Sequence, residues 1–180
     1  LRSAWNDPNA LFVGVKAGYN EANHGHLDLG NFELDALGVR WARDLGSDNY
    51  NLPGYWGSKR GGTRWQYYRL NTFSHNVPVL NGQDQDPEAT ASLTHFESDE
   101  TGSFAQIDLT DAYQASARSV RRGVALIDGR RAVLVQDEFD LPSSCEIAWG
   151  ITTDADIDIQ PSGTARLTVD NKQLQASLLS

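Results

Sequence analysis

Short apolar stretches, separated by glycine, proline and polar turns, run through most of the chain, and apolar and polar residues alternate within many of them. Such alternation is typical of strands with one buried face, and no stretch shows the capped 3.6-residue periodicity of an amphipathic helix. The pattern predicts strands at 10–16, 31–37, 39–45, 71–82, 92–97, 103–109, 117–127, 131–139, 146–152, 157–160, 165–169 and 173–178. We therefore predict an all-β fold, an antiparallel β-sandwich of large folded sheets with little or no helix.

Turn residues connect several of these strands into hairpins. The segments 31–37 and 39–45 alternate on either side of Gly38, which predicts a hairpin with Asp44 at the end of its second arm, near the point where the first arm begins. Asp128-Gly129 and Asp170-Asn171 are further two-residue hairpin signals. Local turn chemistry therefore sets much of the expected strand order.

Length and composition favour one domain spanning residues 1–180, because 39% hydrophobic residues in 180 suffice for a single sizeable core. No apolar run is long enough to predict a membrane span, and the first residues lack the apolar centre of a signal peptide. Since the chain contains no methionine, we expect it to be part of a longer gene product. The single Cys145 excludes an internal disulfide and is predicted to be a small buried strand residue.

The formal net charge of −9 argues against a nucleic-acid partner, which requires a basic face. It does not exclude an acidic ligand, because basic residues can still gather in one groove. The segment 59–69, with two lysine or arginine residues at its start and two further arginines, is such a local basic cluster.

A long loop is predicted at 46–69, where glycine, proline and asparagine replace the apolar periodicity. Long loops in a compact domain are usually functional or disordered, and the density of aromatic residues argues against disorder. Aromatic faces beside arginine and asparagine suit sugar rings, although such side chains can also cover one end of the core. The aromatic residues of this loop are Tyr50, Tyr55, Trp56, Trp65, Tyr67 and Tyr68.

His26, Asp44 and His75 come from three different strand-like segments, and His24 stands two residues before His26. Two imidazoles and one carboxylate suit Zn²⁺, with a fourth position left for water or substrate. The alternative is that these histidines are hydrogen-bonded or exposed and hold no metal. His95 has no pattern of polar partners and is predicted to be an ordinary strand residue.

A second interpretation of the same stretch is a cupin-like metal enzyme. Gly18 followed by His24-x-His26 is similar to the opening of the first cupin motif, which builds a site from three histidines and one glutamate. The match then weakens, because Glu33 lies further from His26 than the cupin glutamate does, and the second cupin motif is not found around His75.

Several motifs in order resemble the heparinase II/III-like family of polysaccharide lyases. They are the segment from Asn23 to Asp28, the return strand from Gly38 to Gly46, the tyrosine-rich loop and the segment from Ser74 to Gly82. This family joins an N-terminal α/α toroid to a C-terminal antiparallel β-sandwich, so the resemblance implies that the chain is the sandwich of a longer lyase. Nothing in the chain resembles the toroid, and we expect the isolated domain not to turn over substrate.

The resemblance also implies roles for individual residues. His26, Asp44 and His75 match the ligands of one structural zinc, and His24 matches the catalytic-site histidine that faces the uronate. Asp28, the acidic residue of the same motif, is expected to be structural.

The tyrosines Tyr50 and Tyr55 fall in the loop that approaches the sugar and are the predicted substrate-binding residues. The implied reaction is β-elimination in an acidic, uronate-containing polysaccharide, and the implied setting is the periplasm or exterior of a bacterium. A non-catalytic carbohydrate-binding or structural sandwich stays open as a further alternative.

Overall fold

A computed structural model describes residues 1–161 and 163–179, and the fold is built almost entirely from antiparallel strands. Within these residues there are also three short 3-10 helices, at Thr63–Gln66, Thr72–Ser74 and Thr110–Tyr113. The predicted all-β class is confirmed. Among the residues described, no helix has the length and apolar character needed to cross a membrane. The strands are β1 (Phe12–Val15), β2 (Gly18–Tyr19), β3 (Phe32–Ala36), β4 (Val39–Ala42), β5 (Val79–Leu80), β6 (Thr90–Ser98), β7 (Ser103–Asp108), β8 (Ser119–Ile127), β9 (Ala132–Asp140), β10 (Ile147–Ala148), β11 (Asp156–Ile159), β12 (Thr164–Val169) and β13 (Lys172–Ser177).

The residues that the structure describes form four sheets. The largest has the order β2-β6-β7-β8-β9, and two three-stranded sheets have the orders β1-β3-β4 and β11-β12-β13. A two-stranded sheet pairs β5 with β10. Most neighbours in these sheets are consecutive along the chain, as expected from short hairpin connections.

The core of the described residues has two buried clusters. One contains Ile107 of β7 and Val120 of β8, and the other lies between the β1-β3-β4 sheet and the inner face of the largest sheet. Phe32 of β3 and Trp41 of β4 belong to one buried cluster with Val124 and Leu126 of β8, and Leu167 of β12 closes it. Along β8 the inward positions alternate with more exposed ones, which is the period of two that the sequence shows. This packing of two sheets face to face makes the fold a β-sandwich.

The predicted hairpins are confirmed. Asp128 and Gly129 both adopt positive φ between β8 and β9, at 53° and 63°, and Asp170 and Asn171 do so between β12 and β13. The turn at 170–171 has two residues, and left-handed conformations at both of them match the twist of the flanking strands. The turn after β8 has four residues, 128–131, and Arg130 is left-handed too, with φ of 64°. The turn between β3 and β4 is also left-handed, at Leu37 and Gly38.

The segment 71–82 departs from the predicted continuous strand. It begins as a 3-10 helix, whose first N–H groups are capped when Phe73 N donates to Asn71 Oδ1 at 3.0 Å. Pro78 then lacks the N–H that a ladder requires, and the strand β5 is confined to Val79–Leu80. The chain therefore carries His75 in an irregular, buried stretch rather than in a strand.

Two other expectations differ in detail. Cys145 lies in the connection before β10 and is partly buried against the core, not within a strand. The short strand β2, at Gly18–Tyr19, was not predicted, because two residues are too few to show alternation.

Candidate metal centre and adjoining aromatic surface

The structure brings His26, Asp44 and His75 together, with one potential ligand atom from each lying within 4.8 Å of the others. Asp44 follows β4, His26 lies in the connection between β2 and β3, and His75 follows the second 3-10 helix. The register of β3 and β4 shifts between Leu34 and Asp35, so that Leu34 lies opposite Ala42. This irregularity helps to position the end of β4, and with it Asp44, beside the start of β3.

The geometry of His75 fits a metal ligand. Its side chain is fully buried, and its Nδ1 lies 2.8 Å from Asp44 Oδ2. Even so, neither ring nitrogen has a well-aligned hydrogen-bond partner among the residues described. A buried polar atom without a hydrogen-bond partner costs free energy. A bound cation would remove this cost, and two atoms that both point at a cation lie close together without being aligned with one another. The cluster is therefore of the kind that a cation would complete.

The protonation states of His26 and Asp44 also fit a metal site. Burial lowers the pKa of His26 to about 4, so this imidazole is neutral near pH 7 and keeps a free lone pair. Burial would raise the pKa of the Asp44 carboxyl, but its contacts with His75 and with the Gly46 N–H outweigh this and lower the pKa to about 2. A neutral imidazole and an ionised carboxylate are the forms that bind metals.

Asp44 is held in one orientation by neighbouring donors. Asn31 Nδ2 donates to Asp44 Oδ2 at 2.9 Å, and Gly46 N donates to Asp44 Oδ1 at 2.6 Å. Asn31 in turn accepts a hydrogen bond from Asn76 N through its Oδ1, at 2.8 Å. Such outer contacts fix the direction of a ligating carboxylate.

Asn76 joins the strands around this centre. Its Nδ2 donates to the carbonyl oxygens of Phe32 at 2.7 Å and Arg43 at 3.1 Å, and its Oδ1 accepts from Thr152 N at 2.7 Å. Because Asn76 directly follows His75, these bonds fix the backbone beside that ligand. Sequence analysis included Asn76 in a motif but did not assign it this role.

Arg122 connects the centre to the largest sheet, and sequence analysis did not identify it. It is fully buried, makes two 2.7 Å bonds to the Asp137 carboxylate, and donates to the carbonyls of Gly30 at 2.8 Å and Asn76 at 2.6 Å. The signal that could have revealed it is its position in β8, where an arginine occupies an inward place between Val120 and Val124. A charged residue at such a position must be paired.

His24 lies outside the cluster of potential ligands, on an adjoining exposed surface. Its backbone is left-handed, with φ of 63°, which is uncommon for a residue other than glycine. The centroid of its ring lies 5.7 Å from that of Tyr50 and 5.2 Å from that of Trp56. Tyr50 and Trp56 are 47% and 54% exposed. We call His24, Tyr50 and Trp56 the aromatic surface.

Tyr55 supports this surface from below. It is 1% exposed and its ring lies 5.2 Å from that of Tyr50 and 5.1 Å from that of Trp56. The predicted direct sugar contact of Tyr55 therefore does not agree with its burial. Trp56, which was predicted only as part of the aromatic loop, takes the exposed position instead.

Arg64 connects the loop 46–69 to the segment that contains His24 and His26. It is buried, with its Nη2 donating to Gly25 O at 2.9 Å and its Nη1 donating to Tyr55 O at 3.0 Å. Its guanidinium also lies over the Tyr55 ring, 4.6 Å from the centroid. The carbonyl between His24 and His26 is thus fixed from the other side of the loop.

The side chains of the basic cluster predicted at 59–69 form ion pairs and hydrogen bonds with other residues of the chain. Lys59 pairs with Glu21, and Arg60 pairs with Asp86 and Glu88. Arg69 donates to the carbonyls of Leu45 and Ser47. These contacts order the loop, while the side chains of Lys59 and Arg60 stay exposed and Arg69 bonds only to backbone carbonyls.

The remaining predicted residues are accounted for as follows. Asp28 is buried and ion-paired with Lys16, in agreement with a structural role. His95 lies in β6, with its Nε2 2.8 Å from Glu97 Oε1, as an ordinary strand residue. Glu33 pairs with Arg40 and lies outside the cluster, so the donor set of the cupin interpretation is not assembled.

Comparison with solved structures shows the same fold in polysaccharide lyases. A heparan sulfate lyase, HepC from Pedobacter heparinus, matches with a TM-score of 0.76 and 20% identity over 94% of this chain and 25% of that chain. A heparinase III gene product with methylated lysines gives a TM-score of 0.76 at 17% identity, again over 94% of this chain and 25% of that chain. A crystal structure of heparinase III gives 0.64 at 15% identity, over 97% of this chain and 31% of that chain. This chain thus spans about a quarter to a third of those proteins.

No curated protein sequence matches the chain. The sequence profile described as "Heparinase II/III-like, C-terminal" matches residues 3–179, which is nearly the entire chain. The chain therefore belongs to the heparinase II/III-like family, as a C-terminal domain.

Proposed function

We propose that this chain is the β-sandwich part of a polysaccharide lyase that cleaves uronate-containing acidic glycans by β-elimination, working with an N-terminal toroid domain. The observation that carries the proposal is the placement of His24. It is exposed on the aromatic surface in a left-handed conformation, two residues from a buried cluster of potential metal ligands. Unusual backbone geometry at an exposed polar residue is often associated with a functional site.

In the proposed reaction a base removes the C5 proton of the uronate and an acid protonates the departing O4. Negative charge develops on the neighbouring carboxylate and must be stabilised. His24 contacts this carboxylate or accepts the proton, since an imidazole has one ring nitrogen that can donate a hydrogen bond and one that can accept a proton. Tyr50 and Trp56 offer their exposed rings to the apolar faces of the sugar.

His26, Asp44 and His75 would hold a structural Zn²⁺, which supplies cross-linking of three segments rather than electrophilic chemistry. Their donor types, the unsatisfied nitrogens of His75 and the protonation states of His26 and Asp44 support this assignment. Through the short link from His26 to His24, the same cluster positions the aromatic surface. We further propose a periplasmic or secreted location in a bacterium, where such polymers are accessible.

The test uses the longer protein that contains this chain, assayed for the unsaturated uronate product. We expect His24→Ala to lower turnover by about 10²-fold or more, the usual contribution of a positioned acid or base. It should leave bound metal unchanged. His95→Ala removes a histidine from β6, away from the cluster, and serves as the matched control. Full activity of the His24 variant would remove the role assigned to this residue.

A carbohydrate-binding role without catalysis is the second candidate, and the exposed rings of Tyr50 and Trp56 favour it. It predicts that the chain binds acidic oligosaccharides while the longer protein shows no elimination with any of them. Loss of oligosaccharide binding in Trp56→Ala, with Trp5→Ala as a control at another exposed tryptophan, would locate that binding.

A further inference from the structure

A cavity of about 470 Å³ lies apart from the residues of the metal cluster and the aromatic surface. Its walls are parts of three loops, 60–66, 83–87 and 112–116, and its floor includes Leu27 and Leu80. Its volume is within the range of sites that hold small molecules, about 300–1,000 Å³. One loop, 56–66, contributes to both places. Its first residue, Trp56, belongs to the aromatic surface, and Arg60 and Trp65 line the cavity.

The walls are joined to one another by hydrogen bonds. Buried Gln85 donates through Nε2 to Leu29 O and to the Tyr113 hydroxyl, both at 2.9 Å. Asp86 Oδ2 accepts from Arg60 Nη2 at 2.8 Å and from Gln114 Nε2 at 3.1 Å, which links all three loops. A cavity fixed in this way is preformed and need not be ordered by its ligand.

The side chains at the mouth of the cavity suit hydroxyl groups. Gln66 offers an amide with both a donor and an acceptor, whereas Gln83 Oε1 already accepts from Ser116 Oγ at 3.5 Å and Gln114 Nε2 already donates to Asp86. The side chain of Gln66 forms no hydrogen bond among the residues that the structure describes, and Gln66 is exposed. Trp65, Leu27 and Leu80 line the recessed part of the cavity and are 7%, 0% and 1% exposed, so the apolar contact that they offer a pyranose ring is small beside the contact offered by the exposed amides.

The charges disfavour an anion. The lining contains the carboxylates of Asp84 and Asp86 and one guanidinium, that of Arg60. Arg60 is already paired with Asp86 and with Glu88, so its charge is compensated within the protein. A uronate or sulfate entering the cavity would meet excess negative charge, whereas an uncharged sugar would not.

We infer that this cavity is a binding site for one uncharged pyranose residue, distinct from the aromatic surface to which the uronate is assigned. The inference goes beyond the proposed function, because it requires binding and no elimination. If the proposed function holds, this cavity would favour glycans that contain an uncharged sugar residue as well as the uronate.

The test titrates the chain with glucose and with glucuronate, which differ only at C6, and follows backbone amide signals by NMR. We expect glucose to shift amides of residues 60–66, 83–87 and 112–116, and glucuronate to bind at least about 10-fold more weakly at low ionic strength. Gln66→Ala, at an exposed side chain, should weaken glucose binding by about 5-fold. Gln114→Ala also removes the hydrogen bond to Asp86 that joins two walls, and it should weaken glucose binding at least as much. Gln175→Ala on the surface of β13 is the matched control.

Three results would overturn the inference. They are the absence of shifts in the three loops, equal or tighter binding of glucuronate, and unchanged glucose binding in both cavity variants. Shifts confined to residues around Tyr50 and Trp56 are one form of the first result and would assign the sugar to the aromatic surface. Because no product is measured, the result is independent of elimination: the longer protein could lack lyase activity and the chain still bind glucose here, or the reverse.

Discussion

At the scale of single residues, the candidate metal centre depends on buried polar groups whose partners are few. His75 has two ring nitrogens without aligned partners among the described residues, and Asp44 is oriented by Asn31 and Gly46. A cation at this point would satisfy the imidazole and balance the carboxylate together. The same reasoning makes each ligand separately testable.

We predict that His26→Ala and His75→Ala each lose zinc binding, from about one ion per chain to none, because two remaining ligands are too few for a structural site. The measurement is elemental analysis of the purified chain, with circular dichroism to check folding. His95→Ala, which removes a histidine of β6, should keep its zinc. Equal metal content in all three variants would argue against the assigned ligands.

An outer-contact variant tests how the carboxylate is held. Asn31→Ala removes the 2.9 Å hydrogen bond to Asp44 Oδ2 and should weaken zinc binding by about 10- to 100-fold without abolishing it. Competition with a chelator of known affinity measures this change. Asn49→Ala, at an exposed loop position, is the matched control, and identical affinities for the two variants would contradict the role of Asn31.

Arg122 provides the sharpest prediction on stability. Arg122→Ala leaves the Asp137 carboxylate buried without its main partner, and it should cost about 3–5 kcal/mol in the free energy of unfolding. Arg118→Ala breaks an exposed pair with Asp140 and should cost about 0–1 kcal/mol. Urea denaturation measures both values. Similar losses in the two variants would mean that the buried pair contributes no more than a surface pair.

At the scale of elements, the loop from Gly54 to Gln66 connects the aromatic surface to the cavity. It has little regular structure, and it is held by Arg64, by the Lys59 and Arg60 ion pairs and by close backbone contact between its own residues. At Gly62 an added Cβ would lie 1.9 Å from the Gly57 carbonyl oxygen. Backbone atoms cannot move away as a flexible side chain can, so glycine is required there.

Gly62→Ala should therefore displace the loop and destabilise the chain by about 1–3 kcal/mol, with a change in near-ultraviolet circular dichroism from the neighbouring tryptophans. Gly150→Ala is the control, because an added Cβ there meets no atom within 4 Å and φ is not left-handed. Thermal denaturation with near-ultraviolet spectra compares them. A Gly62 variant with unchanged stability and spectrum would show that the loop adapts freely.

At the scale of the whole molecule, the candidate metal centre and the largest sheet are held by different interactions. The hairpin of β8 and β9 has nine paired positions and depends on its own ladder, whereas the segments carrying His26, Asp44 and His75 are irregular. Arg122 joins the two parts through Gly30 O and Asn76 O. Loss of a metal should therefore loosen one part more than the other.

If zinc is bound, its removal by chelation should accelerate amide hydrogen exchange around residues 24–31, 43–46 and 74–77, while the β8-β9 hairpin keeps its protection. Hydrogen exchange followed by mass spectrometry tests this, with zinc-reloaded protein as the control. Uniform acceleration across both parts would mean that the metal stabilises the entire sandwich. If exchange is not accelerated in any of the three segments, their stability does not depend on the metal.

The sequence by itself determined the features that depend on neighbours along the chain. Strand alternation and the left-handed turns at 128–129 and 170–171 predicted the all-β class and most strands, because a period of two and positive φ are local properties. Spacing left a metal site and ordinary histidines both open, and it was the resemblance of several ordered motifs to the family, which the profile match confirms, that nominated His26, Asp44 and His75 as ligands.

Only the tertiary structure decided which side chains are buried, paired or exposed. It placed Tyr55 beneath the surface and Trp56 on it, directed the basic cluster into internal contacts, and joined Arg122 to Gly30 across 92 residues. Such outcomes depend on segments that are distant along the chain and meet only on folding. A local pattern does not contain that information, and the same holds for the cavity formed by three separate loops.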